Sequence, residues 1–170
     1  MIIGLTGENC SGKGTLADYL QKKSFYFYSL SDVIRDELAS KGIDITRDTL
    51  IKEGNDLRQK SGAAVLAVRT AAKLQADKNY VIDSIRNPYE VEELKKLNRF
   101  VLLKVLASPE NRFERMKDRK REGDPETLEE LDEQWKEAEA FAGDPLADAA
   151  ADSNICNAFP NTMEALNKIA

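Results

Sequence analysis

The stretch GENCSGKGT, residues 7 to 15, is the part of this chain best equipped for chemistry. Gly7 and Gly12 bracket four varied residues, and Lys13 follows directly. Glycine lets a backbone curl until successive N–H groups face one point, which makes a concavity for anions. A helix that starts near Gly12 adds its positive end to the same field. The amides of Gly7, Asn9, Cys10, Ser11, Gly12, Gly14 and Thr15 are the expected cradle, and the Lys13 ammonium is a point charge for outer phosphate oxygens. Cys10 is assigned its backbone N–H and no thiol role. The G-x-x-x-x-G-K-[ST] template wants a hydroxyl residue straight after the lysine. Here Gly14 intervenes before Thr15. Thr15 still offers its hydroxyl to a phosphate or, through water, to a magnesium ion held mainly by the phosphates. Lys13 is expected to stand exposed at the loop.

A second set of residues suits the same chemistry. Phosphoryl transfer needs cations that converge on a group carrying charge on its outer oxygens. Arginine's planar fork grips such oxygens bidentately. Asp83 and Arg86 follow an apolar run, NYVID, and Arg112, Arg115, Arg119 and Arg121 crowd one predicted helix. Asp32 and Arg35 stand one turn apart after FYFYSL, with Arg58 and Arg69 further on. Asp32 either complements a helix dipole or takes a hydroxyl proton.

The elements that must position these groups alternate along the chain. IIGLT (2–6), FYFYSL (25–30), NYVIDS (79–84) and FVLLKVLAS (100–108) read as strands, and DSNICN (152–157) as a weak one. The first of these has no polar alternation, as in a strand buried on both faces. Helices are expected over 12–23; over 31–42, with Ser31 as N-cap; over 46–62, interrupted near Gly54; over 63–77; and over 87–98, behind Pro88. Three more follow over 108–124, 125–143 and 161–169. Strand–helix alternation means an α/β fold on a parallel sheet, with ligands beyond the carboxyl ends of the strands.

Composition removes competing chemistries. With no histidine in 170 residues, His-based triads and His acid–base catalysis are out. Two cysteines, Cys10 and Cys156, make neither a disulfide framework nor a zinc template and suggest a reducing compartment. A net charge of -5 disfavours a nucleic-acid footprint. No apolar run approaches a membrane span, and MIIGLTG lacks the features of a signal peptide, so a cytoplasmic protein without nucleic-acid or membrane partners is expected.

GxxxxGKGT resembles the form found in nucleoside monophosphate kinases of the adenylate-kinase type. Ser31-Asp-Val-Ile-Arg35 resembles that family's S/T-G-D-x-x-R element, whose arginine contacts the acceptor's phosphate. Asp83-Ser-Ile-Arg86 is similar to its D-G-F-P-R element, in which the aspartate orients magnesium-bound water and the arginine grips the transferring phosphate. Arg115-Met-Lys-Asp-Arg119 resembles the R-x-x-x-R opening of the lid over ATP, and the final Asn- and Met-containing stretch resembles the part that packs near adenine. The runs VIDSIRNPYEV and ASPENRFER resemble a group of small P-loop proteins placed with deoxynucleoside monophosphate kinases and dephospho-CoA kinases. Ser84-Ile85 in place of Gly-Phe-Pro, and a lid without zinc cysteines, depart from the pattern.

The resemblance implies a single P-loop NTPase domain over 1–170. It would be a three-layer sandwich around a parallel five-stranded sheet, with acceptor-binding helices at 31–77 and a lid at 109–143. It implies ATP and Mg2+ as cofactors and a nucleoside or deoxynucleoside monophosphate as acceptor. Lys13, Asp83, Arg86 and Arg119 would be catalytic; Arg115 would bind ATP; Asp32, Arg35, Arg58 and Arg86 would bind the acceptor; Thr15 and Asp83 would reach the metal, Asp83 through water. Dephospho-CoA kinase and a non-catalytic nucleotide-sensing module are the alternatives.

Overall fold

The computed structural model describes residues 1–119, 124–133, 136 and 153–156. The first strand, β1 (Ile2–Thr6), is buried along its whole length. Its side chains alternate between two apolar clusters. Ile2 joins Leu30, Val33, Ile34, Leu66, Tyr80, Ile82, Val91 and Leu94, whereas Ile3 and Leu5 join Leu16, Ala17, Leu20, Val81 and Val105. A strand with both faces covered has no use for polar residues, which is why IIGLT carries so few.

The other strands are β2 (Tyr26–Ser29), β3 (Tyr80–Asp83), β4 (Phe100–Leu106) and β5 (Ser153–Cys156). The sheet runs β2-β3-β1-β4-β5, every pairing parallel. Ser29 pairs with Asp83, and Gly4 pairs with Ile82. Carried two residues on, the second register sets Thr6 level with Ser84. The loop after β1 therefore leaves the sheet beside the ends of β2 and β3. Gly4 is glycine because a Cβ there would lie 2.7 Å from both Ile85 and Phe100 side-chain atoms.

The helices are α1 (Lys13–Lys22), α2 (Leu30–Ser40), α3 (Arg47–Ser61), α4 (Val65–Ala71), α5 (Pro88–Lys95) and α6 (Pro109–Arg119). The apolar side of α1 packs on one sheet face, and α2, α4 and α5 supply the cluster on the other, joined by Leu57 of α3. Helix α5 starts as Pro88 predicts, with proline in its first turn and Asn87 as N-cap.

Three expectations need correction. The N-cap of α2 is Ser29, not Ser31; its hydroxyl accepts from the backbone, and the Asp32 carboxylate accepts from Ser29 N at 3.2 Å, a capping box. Helix α3 is unbroken at Gly54. The glycine is a contact, not a hinge: a Cβ would come within 3.0 Å of Ile34 Cδ1 on α2. Helix α4 covers seven residues, ending at Ala71, well short of the helix expected over 63–77. Of the acidic helix expected over 125–143, residues 128–133 and 136 are helical among the described residues, and 134, 135 and 137–143 lie outside them. The closing helix at 161–169, Arg121 and Trp135 lie outside the described residues.

Gly54→Val tests the close approach of α2 and α3. Overpacking against Ile34 is expected to cost about 2 kcal/mol, read as a lower denaturant midpoint at unchanged slope.

Candidate active site

The loop between β1 and α1 is built as an anion cradle. Gly7, Cys10 and Gly12 have φ of 123°, 60° and 105°, the left-handed values that turn amides inward. Position 7 admits no side chain, since a Cβ would sit 2.4 Å from Val105 O of β4. Gly12 is the N-cap of α1 and makes no side-chain cap, so the first amides of that helix remain directed at the loop. Gly14 and Thr15 are exposed on the first turn, and a Cβ at Gly14 would touch nothing within 4 Å.

Lys13 is half-buried, not exposed as its place in the sequence suggested. Its Nζ donates to Gly7 O at 2.6 Å and Glu8 O at 2.8 Å, folding back over the loop. Loss of water pushes its pKa down to about 8; Asp83 opposes that shift, Arg86 adds to it, and Cys10 and Glu8 oppose it more weakly. Lys13 and the Asp83–Arg86 turn, far apart in sequence, thus act on one another electrostatically.

Asp83 is the last residue of β3 and is followed by Ser84 at a φ of 66°. The Ser84 hydroxyl accepts from Ser29 Oγ at 2.9 Å, tying the ends of β2 and β3 together. Asp83 Oδ1 is buried and has no hydrogen-bond partner among the described residues. A carboxylate oxygen in that state costs free energy unless something supplies a proton or a cation. Arg86 is exposed as a residue, but its guanidinium has lost water, which lowers its pKa against the opposing pull of Asp83 and Glu90, and it makes no ion pair among the described residues.

The turn carrying Arg86 is held by a buried acid that sequence reading passed over. Glu90 is 0 % exposed; its carboxylate accepts from Arg86 N at 2.9 Å, Asn87 N at 3.3 Å and Arg58 Nη2 at 2.9 Å. The signal was present: Asn87 followed three residues later by Glu90 is a capping-box spacing, and both halves form. Arg58 therefore sits on the scaffold of the Arg86 turn.

The other arginines also have carboxylate or carbonyl partners. Arg35 Nη1 meets Asp32 Oδ1 at 2.8 Å, a pair with both side chains nearly half exposed. Arg69 meets Glu37 at 2.9 Å, and Lys41 bonds Glu53 at 2.6 Å, so charge pairs stitch α2 to α3 and α4. From α6, Arg115 Nη1 reaches the loop itself, at 3.2 Å from Cys10 O and 3.1 Å from Ser11 O. Arg119 forks onto Asp124 with contacts of 2.9 and 2.5 Å. Arg112 is buried with Glu8 and Asp132. The structure thus gathers Lys13, Asp83, Arg86 and Arg115 around the loop, leaves Asp32, Arg35 and Arg69 on the α2–α4 side, and sets Arg58 beneath Arg86.

Glu90→Gln tests the scaffold. It leaves Arg58 facing a neutral amide in a largely buried place, and breaking a buried pair in this way is expected to cost about 3 kcal/mol in chemical denaturation.

A family model described as an AAA domain matches residues 3–140. A UPF0200 protein of Pyrococcus abyssi is 38 % identical over 165 residues, covering 92 % of this chain and 87 % of its own. Another, from Hyperthermus butylicus, is 36 % identical over 133 residues, 77 % of this chain and 72 % of its own. Among solved structures, a shikimate kinase from Acinetobacter baumannii in complex with shikimate matches with a TM-score of 0.60 at 17 % identity, over 99 % of this chain and 89 % of that one. A gluconokinase from Sinorhizobium meliloti matches at 0.54 and 18 %, over 99 % and 92 %. At such identities the likeness is one of fold, and the fold is that of the P-loop kinases. The cradle between β1 and α1 agrees with the AAA-domain match, and the chain belongs to the AAA-domain family and to the UPF0200 proteins.

Proposed function

We propose that this protein is an ATP-dependent phosphotransferase that moves the γ-phosphoryl group to a small nucleotide-type acceptor, a nucleoside or deoxynucleoside monophosphate. The observation that carries the reading is the meeting of Lys13, Asp83 and Arg86 at an amide-lined loop. Each is suited to a different part of one reaction. The loop amides and Lys13 hold the β- and γ-phosphates. Arg86 and Arg115 stabilise charge on the outer oxygens as the γ-phosphorus passes from the leaving ADP oxygen to the acceptor oxygen. Helices α2–α4 form the acceptor side, with Asp32, Arg35 and Arg58, and the segment from α6 onward, with Arg119, covers the nucleotide.

Magnesium, which neutralises charge on the β- and γ-oxygens when bound, fits this loop as a phosphate-held ion. Asp83, with its orphaned buried oxygen, and the exposed Thr15 hydroxyl are the residues placed to hold its waters. Among the described residues no group of three or more acidic or thiol ligands forms a separate metal cage.

A hydroxyl acceptor, as in a dephospho-CoA kinase, is the second reading, and Asp83 favours it. Taking a hydroxyl proton needs a free carboxylate oxygen near the phosphate. Asp32 is engaged by Arg35 and by Ser29 N, whereas Asp83 Oδ1 is unpartnered among the described residues. The base for such an acceptor is then Asp83, in place of Asp32.

Incubation with ATP, magnesium and each common monophosphate, deoxymonophosphate or dephospho-CoA tests the proposal. At least one acceptor is expected to raise ADP release and to appear phosphorylated, and Asp83→Asn is expected to lower kcat by about a hundredfold or more. If ATP binds and no acceptor stimulates turnover, the protein is a nucleotide-sensing module and the transferase reading fails.

The pH dependence of ATP binding tests Lys13. A polyphosphate favours the ammonium form, so above the free-state pKa of about 8 binding must take up a proton. Affinity is expected to be flat from pH 7 to 7.5 and then to fall by up to about tenfold per unit. Lys13→Met is expected to bind weakly and to lose that dependence. A flat wild-type profile to pH 9.5 contradicts the assignment.

A further inference from the structure

The cradle contains one acidic residue, Glu8, immediately after the glycine that opens the curl. A carboxylate inside an anion-binding loop opposes its purpose. Its charge acts on Lys13, whose Nζ also bonds the Glu8 carbonyl at 2.8 Å. At such range a unit charge in a partly desolvated site is worth a sizeable fraction of a ligand's affinity.

The structure shows what restrains it. Arg112 of α6 is 2 % exposed, the bulkiest of the fully buried side chains. Its Nε lies 3.1 Å from Glu8 Oε2, and its Nη2 lies 3.5 Å from Asp132 Oδ1 in the 128–133 helical segment. Neither Nε nor Nη1 has a hydrogen-bond partner among the described residues, so the Glu8 contact is an ion pair and not a hydrogen bond. Burying a guanidinium with incomplete hydrogen bonding is a poor way to gain stability, and an apolar residue of that size commonly serves better. The fourth position of α6 has no need of charge for packing, since Met116, one turn on, fills the same side with an apolar chain. Glu8 and Asp132 are the carboxylates within ion-pair distance of Arg112 among the described residues, and Glu110 feels its charge from further off.

We propose that Arg112 is a positioning residue for the nucleotide site. It pins the Glu8 carboxylate against α6 and away from the phosphates, and it links the loop's electrostatics to Asp132 and hence to the segment beyond α6. This inference rests on the loop binding a polyphosphate, and not on which acceptor receives the phosphoryl group. The same helix acts on the loop at two points, through Arg112 on the Glu8 carboxylate and through Arg115 on the carbonyls of Cys10 and Ser11. Movement of α6 and of residues 128–133 then changes the field felt by the phosphates without touching them.

The test is a double-mutant cycle read in nucleotide affinity. Wild type, Arg112→Met, Glu8→Gln and the double variant are compared by calorimetric titration with the non-hydrolysable analogue AMP-PNP and magnesium at low salt, with circular dichroism checking the fold. Arg112→Met removes the Glu8 ion pair and is expected to weaken binding at least tenfold. Adding Glu8→Gln removes the carboxylate charge and is expected to recover most of that loss, although the double variant has one more substitution in the loop. Asp132→Asn is expected to weaken binding several-fold in the Glu8 background and not in the Gln background. A role confined to packing gives no rescue by Glu8→Gln, and that result overturns the proposal. If Arg112→Met fails to fold, Arg112→Lys, which keeps the charge without the fork, is compared with and without Glu8→Gln by the same measure. Wild-type protein that binds no nucleotide overturns the phosphotransfer reading and this one together, whereas wild-type binding without rescue overturns this one alone.

Discussion

Everything in this molecule turns on one ammonium group held against its own loop. Lys13 Nζ sits on the Gly7 and Glu8 carbonyls, within the fields of Asp83 and Arg86, with burial holding its pKa near 8. A cation that has lost water and gained only two carbonyls is poised for a stronger anion. The fold supplies that condition at little cost. A parallel sheet covered on both faces forces the chain to leave β1 at the carboxyl edge, and the helix that follows aims its free amides back at the same point.

The remaining charges are best understood by where their counter-charges are. Arg35, Arg58 and Arg69 meet carboxylates of α2 and α5; the Arg35 pair lies within α2, whereas the other two run between helices. Surface pairs of this kind contribute little to stability. The Arg58–Glu90 pair differs, because Glu90 is fully buried and also accepts from two backbone amides of the Arg86 turn. That arrangement fixes the backbone from which Arg86 reaches out while leaving its guanidinium unpaired among the described residues. Asp83 is the complementary case, a buried carboxylate oxygen without a partner among the described residues beside an unpaired cation. Sites that do chemistry on phosphates keep such incomplete pairings, because the ligand completes them.

Much of this was legible in the sequence, for a physical reason. Glycine at positions 7 and 12 reports left-handed backbone directly, and unbroken apolar runs report strands buried on two faces, so β1, β3, β4 and the loop could be placed from residues 2–15, 79–84 and 100–108 alone. Signals that depend on tertiary context misled. Gly54 looks like a helix breaker, yet it marks where Ile34 crosses α3. Ser31 looks like a cap, yet Ser29 holds that place because β2 runs directly into α2. Lys13 looks exposed because lysines usually are. Arg112 reads from sequence as one of four arginines crowding a single helix, and its burial against Glu8 comes from the fold of α6 over the loop, which no local spacing reveals.

A crystal of the protein soaked with AMP-PNP and magnesium tests the central claim most directly. The account predicts the triphosphate in the curl of residues 7–15, with Lys13 Nζ moved from the Gly7 and Glu8 carbonyls onto the outer phosphate oxygens and the Asp83 carboxylate within reach of the metal's waters. A triphosphate lodged elsewhere, with the Lys13 contacts to its own loop intact, contradicts it.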